Sequence, residues 1–422
     1  MTGFGSRGRR GVLVMRVRVR LRGPAVFVAV FATVLALCAP AFATSTARRA
    51  VAGSAWAQTN GDAAQSRDNV NEHTLTTTSV RRAKFLRSRT APPTSPNDPC
   101  FNDPITAPVL VGGFIYTVVT NVLTKINAAT GKVVWRVTPD PNQATFYTSL
   151  SVANGLVVVG GADCISLSDP NGSLRAFRVT NGSRAWAVNM GPGFGSSVVS
   201  QGFVVFEGAT VASGTQVTVR RLSNGSLVWT HQYNNDCNLQ GGPLVVHSLV
   251  VHQACTKTGQ VALSGDRLTT GKRVWVRYKN WQPVAGDQDS VAGTHLFVQD
   301  NSGVVRELVP ANGHDGYTLS GANRLLAVGP QRLFATCDSG VCGYALGSGA
   351  QTWSESEFLP KPLAAVAGGV VYLGNGTVLR ADTGRELNFL WSGNASWLAV
   401  GNGRIATVAD PRVLDVYGLP GN

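Results

Sequence analysis

The stretch Thr130-Gly131-Lys132-Val133-Val134-Trp135 returns, with variation, down the whole chain. Clear copies end at Trp135, Trp186, Trp229, Trp275 and Trp353, each preceded by a turn glycine: Gly131, Gly182, Gly225, Gly271 and Gly349. Weaker copies centre on Gly313 and Gly384. The seven glycines are about 42 residues apart on average, the length of one four-stranded propeller blade. A repeat of this period constrains the fold strongly. Each unit is one sheet, and one sheet cannot bury its own faces, so neighbours of the same kind must cover them.

The residues before each motif supply the rest of the unit. "APVLVGGFIYTVV", "GGPLVVHSLVVHQ" and "LAAVAGGVVYLG" each read as an apolar run, a Gly-centred or tight turn, and a second run rich in Val and Tyr. That pattern is a β-hairpin. The unit is therefore strand, turn, strand, loop, strand, turn, strand. The Asn-Gly or Thr-Gly turn joins strands three and four, where a positive φ selects Gly or Asn. The tryptophan lies on strand four and supplies a large apolar plate at each blade interface. After Gly384 the chain adds only three strands, in "WLAVGNGRIATVADPRVLDVYG". A strand-like run around Val80–Leu86 has no local partner. The expectation is an all-β, eight-bladed β-propeller of four-stranded antiparallel blades over residues 79–418. The N-terminal strand joins the C-terminal blade and closes the ring. Residues 44–78 form a lead-in and 419–422 a tail.

The first 43 residues carry seven arginines and no acid, then the apolar run "PAVFVAVFATVLALCAPAFA". A positive region, an apolar core and Ala41-Phe42-Ala43 predict a secretory signal peptide over 1–43. A retained membrane anchor is the alternative. The formal charge of +14 falls to +7 without those arginines. No basic stripe interleaved with aromatics remains, which argues against a nucleic-acid partner. The predicted location is secreted or extracytoplasmic, in the periplasm or cell envelope.

The unit resembles the pyrroloquinoline-quinone (PQQ) enzyme-like propeller repeat, whose signature is roughly A-x-D-x-x-T-G-x-x-x-W. Trp56, followed by Gly61-Asp62 and Ser66, is similar to that family's usual lead-in. The resemblance implies the propeller fold. It leaves the activity open, since the family holds dehydrogenases as well as scaffold proteins. The family's Asp, four residues before the motif glycine, is Asn127 in the first copy and Arg178, Arg221, Arg267 or Arg380 in others. The dehydrogenases would also carry adjacent cysteines beneath the quinone, Ca²⁺ ligands and a catalytic Asp. No adjacent Cys-Cys exists here. Asp287 and Asp289 are the best local acidic cluster for a hard cation. No catalytic residue and no metal ligand is assigned; His247 and His252 match no zinc spacing. No cofactor is expected, with PQQ and Ca²⁺ belonging to the alternative of an alcohol- or sugar-dehydrogenase-like oxidoreductase with an atypical site.

An exported chain with six remaining cysteines suggests disulfides. In this unit the loops before strand one and after strand two share a face. Cys100 and Cys237 precede first strands; Cys164, Cys255 and Cys337 follow second strands, with Cys342 just beyond. The expected pairs are Cys337–Cys342, Cys237–Cys255 and, from the remainder, Cys100–Cys164. A two-cysteine metal site is the alternative. The same loops offer Phe101, Asn102, Asp103, Tyr147 and Asp163 as binding candidates, together with Asp236, Trp281, Asp287, Asp289 and Asp338. The predicted function is a non-catalytic, monomeric scaffold that binds a protein, peptide or glycan on this stapled face.

Overall fold

The computed structural model describes residues 55–91, 105–119, 121–141, 145–163, 171–192, 194–210, 214–233, 242–256, 258–286 and 295–421. The expected signal peptide lies outside them. Strands form eight sheets. Blade 1 shows the pattern: Val109–Val111, Phe114–Val119, Val122–Asn127 and Val133–Val137 pair in order, all antiparallel. Blade 2 covers 145–192, blade 3 194–233, blade 4 244–277, blade 5 281–318, blade 6 322–355 and blade 7 364–389. Blade 8 takes three strands from 397–418 and its fourth from Lys84–Thr90. First strands touch first strands around the full circle, including Trp397–Gly401 against Val109–Val111. No helix among the described residues is long and apolar enough to cross a membrane.

Burial follows from stacking sheets rather than enclosing one core. Along Leu156–Asp163, Val157 and Val159 join the cluster shared with blade 1, while Leu156 and Val158 join the cluster shared with blade 3. Successive residues of a strand point to opposite faces. A strand apolar at every position is therefore buried on both sides, as the continuous run "GLVVVGGA" requires.

The repeated tryptophan makes a specific clasp. Trp135 donates its indole N–H to the Val179 carbonyl of blade 2 at 3.0 Å. Trp186 donates to Leu222 at 2.8 Å, Trp229 to Leu268 at 2.8 Å, Trp275 to Pro310 at 2.7 Å and Trp353 to Ala381 at 3.0 Å. Blade 5 has Tyr317 in this place, and its hydroxyl donates to the Leu346 carbonyl. Blade 7 has Asn388, whose amide donates to the Val80 carbonyl at 2.9 Å. Trp186, Trp229, Trp275 and Trp353 are buried, whereas Trp135 is half-buried. The motif glycine of the next blade lies beneath each ring. A Cβ on Gly182 would stand 2.9 Å from the Trp135 ring, and one on Gly271 or Gly384 would come as close to Trp229 or Trp353. These glycines also have φ near +70°, so the position excludes a side chain twice over.

Ring closure is made by Lys84–Thr90, antiparallel to Val413–Gly418 with Ser88 opposite Asp415. The strand begins later than the sequence suggests. Ser79–Arg82 is a single 3-10 turn, which buries Val80 completely and presents its carbonyl to Asn388. Arg87 then takes the tryptophan's place: a Cβ on Gly131 would meet its Cδ at 3.2 Å.

The lead-in does more than enter the ring. Trp56 bridges Leu110 of blade 1. Gln58 bridges Ser151 of blade 2, and its side chain exchanges two hydrogen bonds with Val199 of blade 3. The carbonyls of Ala63, Ala64 and Ser66 accept from Val245, Gly286 and Val328 of blades 4, 5 and 6. Asp68–Asn69 pairs in parallel with blade 7, and the Asn69 amide donates to Val400 of blade 8 at 2.8 Å. This one segment is hydrogen-bonded to the first strand of every blade in turn. Asp62 and Ser66, from the motif noted in sequence, hold its bend through Ser66 N–H to Asp62 Oδ1 at 3.1 Å.

Candidate functional site

Antiparallel order places the strand two–three loops and the blade-to-blade links at one end of the ring. On that face, blade 6 carries a groove of about 420 Å³ lined by Arg324, Asp338, Glu357, Phe358, Leu359 and Pro362, among others. Its wall is the turn between Arg332–Cys337 and Gly340–Ala345, closed by the Cys337–Cys342 disulfide with Cα atoms 6.0 Å apart. Its other wall is the link "SESEFLPKP" from blade 6 to blade 7. The Asn375 amide and Thr377 hydroxyl of blade 7 donate to Glu357 Oε2 at 2.9 and 3.3 Å and hold this link in place. Asp338 is exposed and accepts from the Asn323 amide at 3.1 Å. Phe358 is 81 % exposed, the highest value among the exposed large apolar residues described. An aromatic ring left in water beside a guanidinium and two carboxylates is a recognition surface in composition.

A cleft of about 470 Å³ opens on the opposite face, between blades 6 and 7. Of its charged residues, which include Asp68, Glu72 and Arg332, Arg380 and Asp382 are already forked on each other at 2.6 and 2.9 Å, Asp68 and Glu72 are buried, and so is its Phe334. It offers less to a partner than the stapled groove.

The sequence-derived candidates separate on inspection. Asp338 lies in the groove. Tyr147 is buried, and its hydroxyl donates to Asp140 Oδ2 at 3.2 Å inside a network completed by Arg175. Burial, with the Asp140 charge adding to it, pushes that phenol well above its usual range. Asp163 is buried and accepts from Asn171 at 2.9 Å. Trp281 is buried, with the Arg277 and Arg306 guanidinium carbons each 5.8 Å from its ring centre. These three are buried. Phe101, Asn102, Asp103, Asp236, Asp287 and Asp289 lie outside the described residues, as do Cys100, Cys164 and Cys237. Cys255 is held in a disulfide. Arg178, Arg221, Arg267 and Arg380, at the repeat's Asp position, are all exposed. The sequence reading passed over Phe358, Arg324 and Glu357. The signal for them was a blade link that carries an aromatic between acids and prolines.

The fold's quinone chemistry can be tested against the donor set. Such a site needs several oxygen ligands converging on a hard cation. Among the described residues, the three-residue group of His, Cys, Asp or Glu side chains with converging ligand atoms is His231, His252 and Asp266. It lies between blades 3 and 4 and has two nitrogen donors, so it does not fit Ca²⁺ beneath a quinone. With no adjacent cysteines either, no step through that cofactor is derived.

Comparison with known proteins agrees with the architecture. BamB from Moraxella catarrhalis superposes with a TM-score of 0.56 at 14 % identity, covering 81 % of this chain and 98 % of that one. Quinohemoprotein alcohol dehydrogenase from Comamonas testosteroni gives 0.63 at 12 % identity, covering 87 % of this chain and 81 % of that one. A europium-containing methanol dehydrogenase gives 0.58 at 13 % identity, covering 87 % and 98 %. Identities this low show a shared fold alone. No curated protein sequence matches the chain. The family described as outer membrane protein assembly factor BamB matches residues 56–236 and 170–385, and with eight PQQ-like blades the chain belongs to that family.

Proposed function

We propose that this chain is an exported, non-catalytic propeller scaffold that binds a protein, peptide or glycan partner in the stapled groove of blade 6. The observation that carries the reading is Phe358, 81 % exposed on a link that Glu357 pins to blade 7 and beside a disulfide-closed turn. A rigid scaffold that holds an aromatic in water is prepared for an apolar contact at low ordering cost. The description of the family as an assembly factor supports a macromolecular partner in a cell envelope.

A photo-crosslinking amino acid at position 358, in the native exporting cell, tests this directly. A defined adduct is expected there and not at Asn154, which is exposed on the opposite face. Equal labelling at both positions contradicts the reading. The dehydrogenase neighbours keep an oxidoreductase as the second reading. Dye reduction with an alcohol or sugar, on adding PQQ and Ca²⁺ to the purified chain, would establish that one instead.

A further inference from the structure

His231, His252 and Asp266 meet at the interface of blades 3 and 4. His231 lies on Leu227–Tyr233, the outer strand of blade 3, with Nδ1 3.1 Å from Asp266 Oδ2. His252 lies on Leu249–Cys255 of blade 4, with Nε2 2.9 Å from the same oxygen. The three ligand atoms lie within 4.8 Å of one another.

The protons do not balance with neutral imidazoles. His252 Nδ1 is 2.8 Å from the Gln253 carbonyl, which only accepts, so Nδ1 carries the proton. A neutral ring then turns the Nε2 lone pair toward the Asp266 carboxylate, with both side chains fully buried. Something positive belongs between them: a second proton or a metal ion.

We propose that His252 Nε2, His231 Nδ1 and Asp266 Oδ2 form a binding site for a divalent transition metal of the zinc class. Zinc-bound nitrogen and oxygen atoms sit about 2.0–2.1 Å from the ion, about 3.3 Å from each other in a tetrahedron. The two oxygen–nitrogen separations of 2.9 and 3.1 Å need shifts of only a few tenths of an ångström, and the two imidazole nitrogens, within 4.8 Å of each other, close on the ion by turning the partly exposed His231 ring. The outer contacts are those a ligand set requires. The Gln253 carbonyl fixes the His252 tautomer. The Ser264 hydroxyl donates to Asp266 Oδ1 at 3.0 Å and Arg273 Nε lies 3.6 Å from it, leaving Oδ2 to the imidazoles. Two imidazoles and one carboxylate suit zinc better than calcium or magnesium. His231 is 30 % exposed, which gives the ion a route in and leaves a fourth position toward solvent. In register with His231 across the blade stands Glu207, buried, neither oxygen having a partner at normal hydrogen-bond geometry among the described residues. A bound ion would tie blade 3 to blade 4 independently of the tryptophan clasp.

Sequence spacing hid this site. It paired His252 with His247, which is exposed in a turn, while the true neighbour stands on another blade.

The test uses the untagged full chain stripped of metal, titrated with Zn²⁺ against a chromogenic chelator and with Co²⁺ for its visible spectrum. One equivalent should bind, with tetrahedral Co²⁺ bands. Affinity should fall by about 100-fold or more in His231→Ala and His252→Gln, and about tenfold in Ser264→Ala. His231→Ala alters a partly exposed side chain, and unchanged metal-free thermal unfolding separates ligand loss from misfolding. Equal zinc binding by the wild type and both histidine variants overturns the proposal. So does a His252 ring still protonated on both nitrogens with equimolar Zn²⁺ present, which would make the pair a buried ion pair.

Discussion

Trp229 covers Gly271 of the next blade, while its indole N–H donates to the Leu268 carbonyl three residues earlier. The two contacts act on one turn. The ring leaves no room for a side chain, and the hydrogen bond satisfies a carbonyl that the fourth strand would otherwise leave open at the interface.

Gly271→Ala should therefore cost more than the same change at a free turn. Gly271 has φ +68° and the Trp229 ring 2.8 Å from an added Cβ; Gly155 has φ +76° and nothing within 4 Å. Positive φ costs an alanine about 1–2 kcal/mol, and overpacking adds about 1–3 kcal/mol. Denaturant titration should show Gly271→Ala losing about 1–3 kcal/mol more than Gly155→Ala. Equal losses would mean the ring moves aside freely.

The clasp's two parts separate at Trp229 itself. Trp229→Ala should cost about 3–5 kcal/mol, as for other buried large aromatics. Trp229→Phe keeps most of the plate but strands the Leu268 carbonyl, for about 1–3 kcal/mol. Tyr317 and Asn388 fill the same position with a donor in place, so Trp229→Tyr should be milder than Trp229→Phe. The reverse order in chemical unfolding would remove the hydrogen bond from the account.

Glu207 gives a pH signature. Burial pushes its carboxyl well above the usual 4.5, against a smaller pull from the Gln253 backbone N–H. A raised folded pKa means stability that is complete below the unfolded value and is lost as pH rises through the folded one. Metal-free wild type should therefore lose stability relative to Glu207→Gln as pH rises above the carboxyl's usual 4.5. Parallel stability curves over that range would show the carboxyl to be solvated.

Much of this was legible because it repeats. Turn glycines mark seven blades at a fixed place, tryptophans mark five of these, and chain length supplied the eighth. What repeats imperfectly was not legible. Arg87 and Asn388 hold tryptophan positions without resembling one, since only the blade geometry makes an amide or a guanidinium equivalent to an indole. The path of residues 56–69 was hidden for a related reason: most of its bonds to the blades are backbone contacts, which carry no side-chain signature, while Gln58 and Asn69 reach blades 3 and 8 through their side-chain amides. Tyr147, Asp163 and Trp281 drew attention as polar or aromatic residues near loops. The structure buries them because first strands and the inner ends of second strands lie inside the ring, between neighbouring blades.

The central claim is that N- and C-terminal strands share one sheet. Ser88 and Asp415 are direct register partners across it. A chain with Ser88→Cys and Asp415→Cys, oxidised and mapped by mass spectrometry, should form the 88–415 disulfide in nearly every molecule, with unfolding shifted to higher denaturant. Free thiols at both positions in folded protein would show that Lys84–Thr90 does not close the ring.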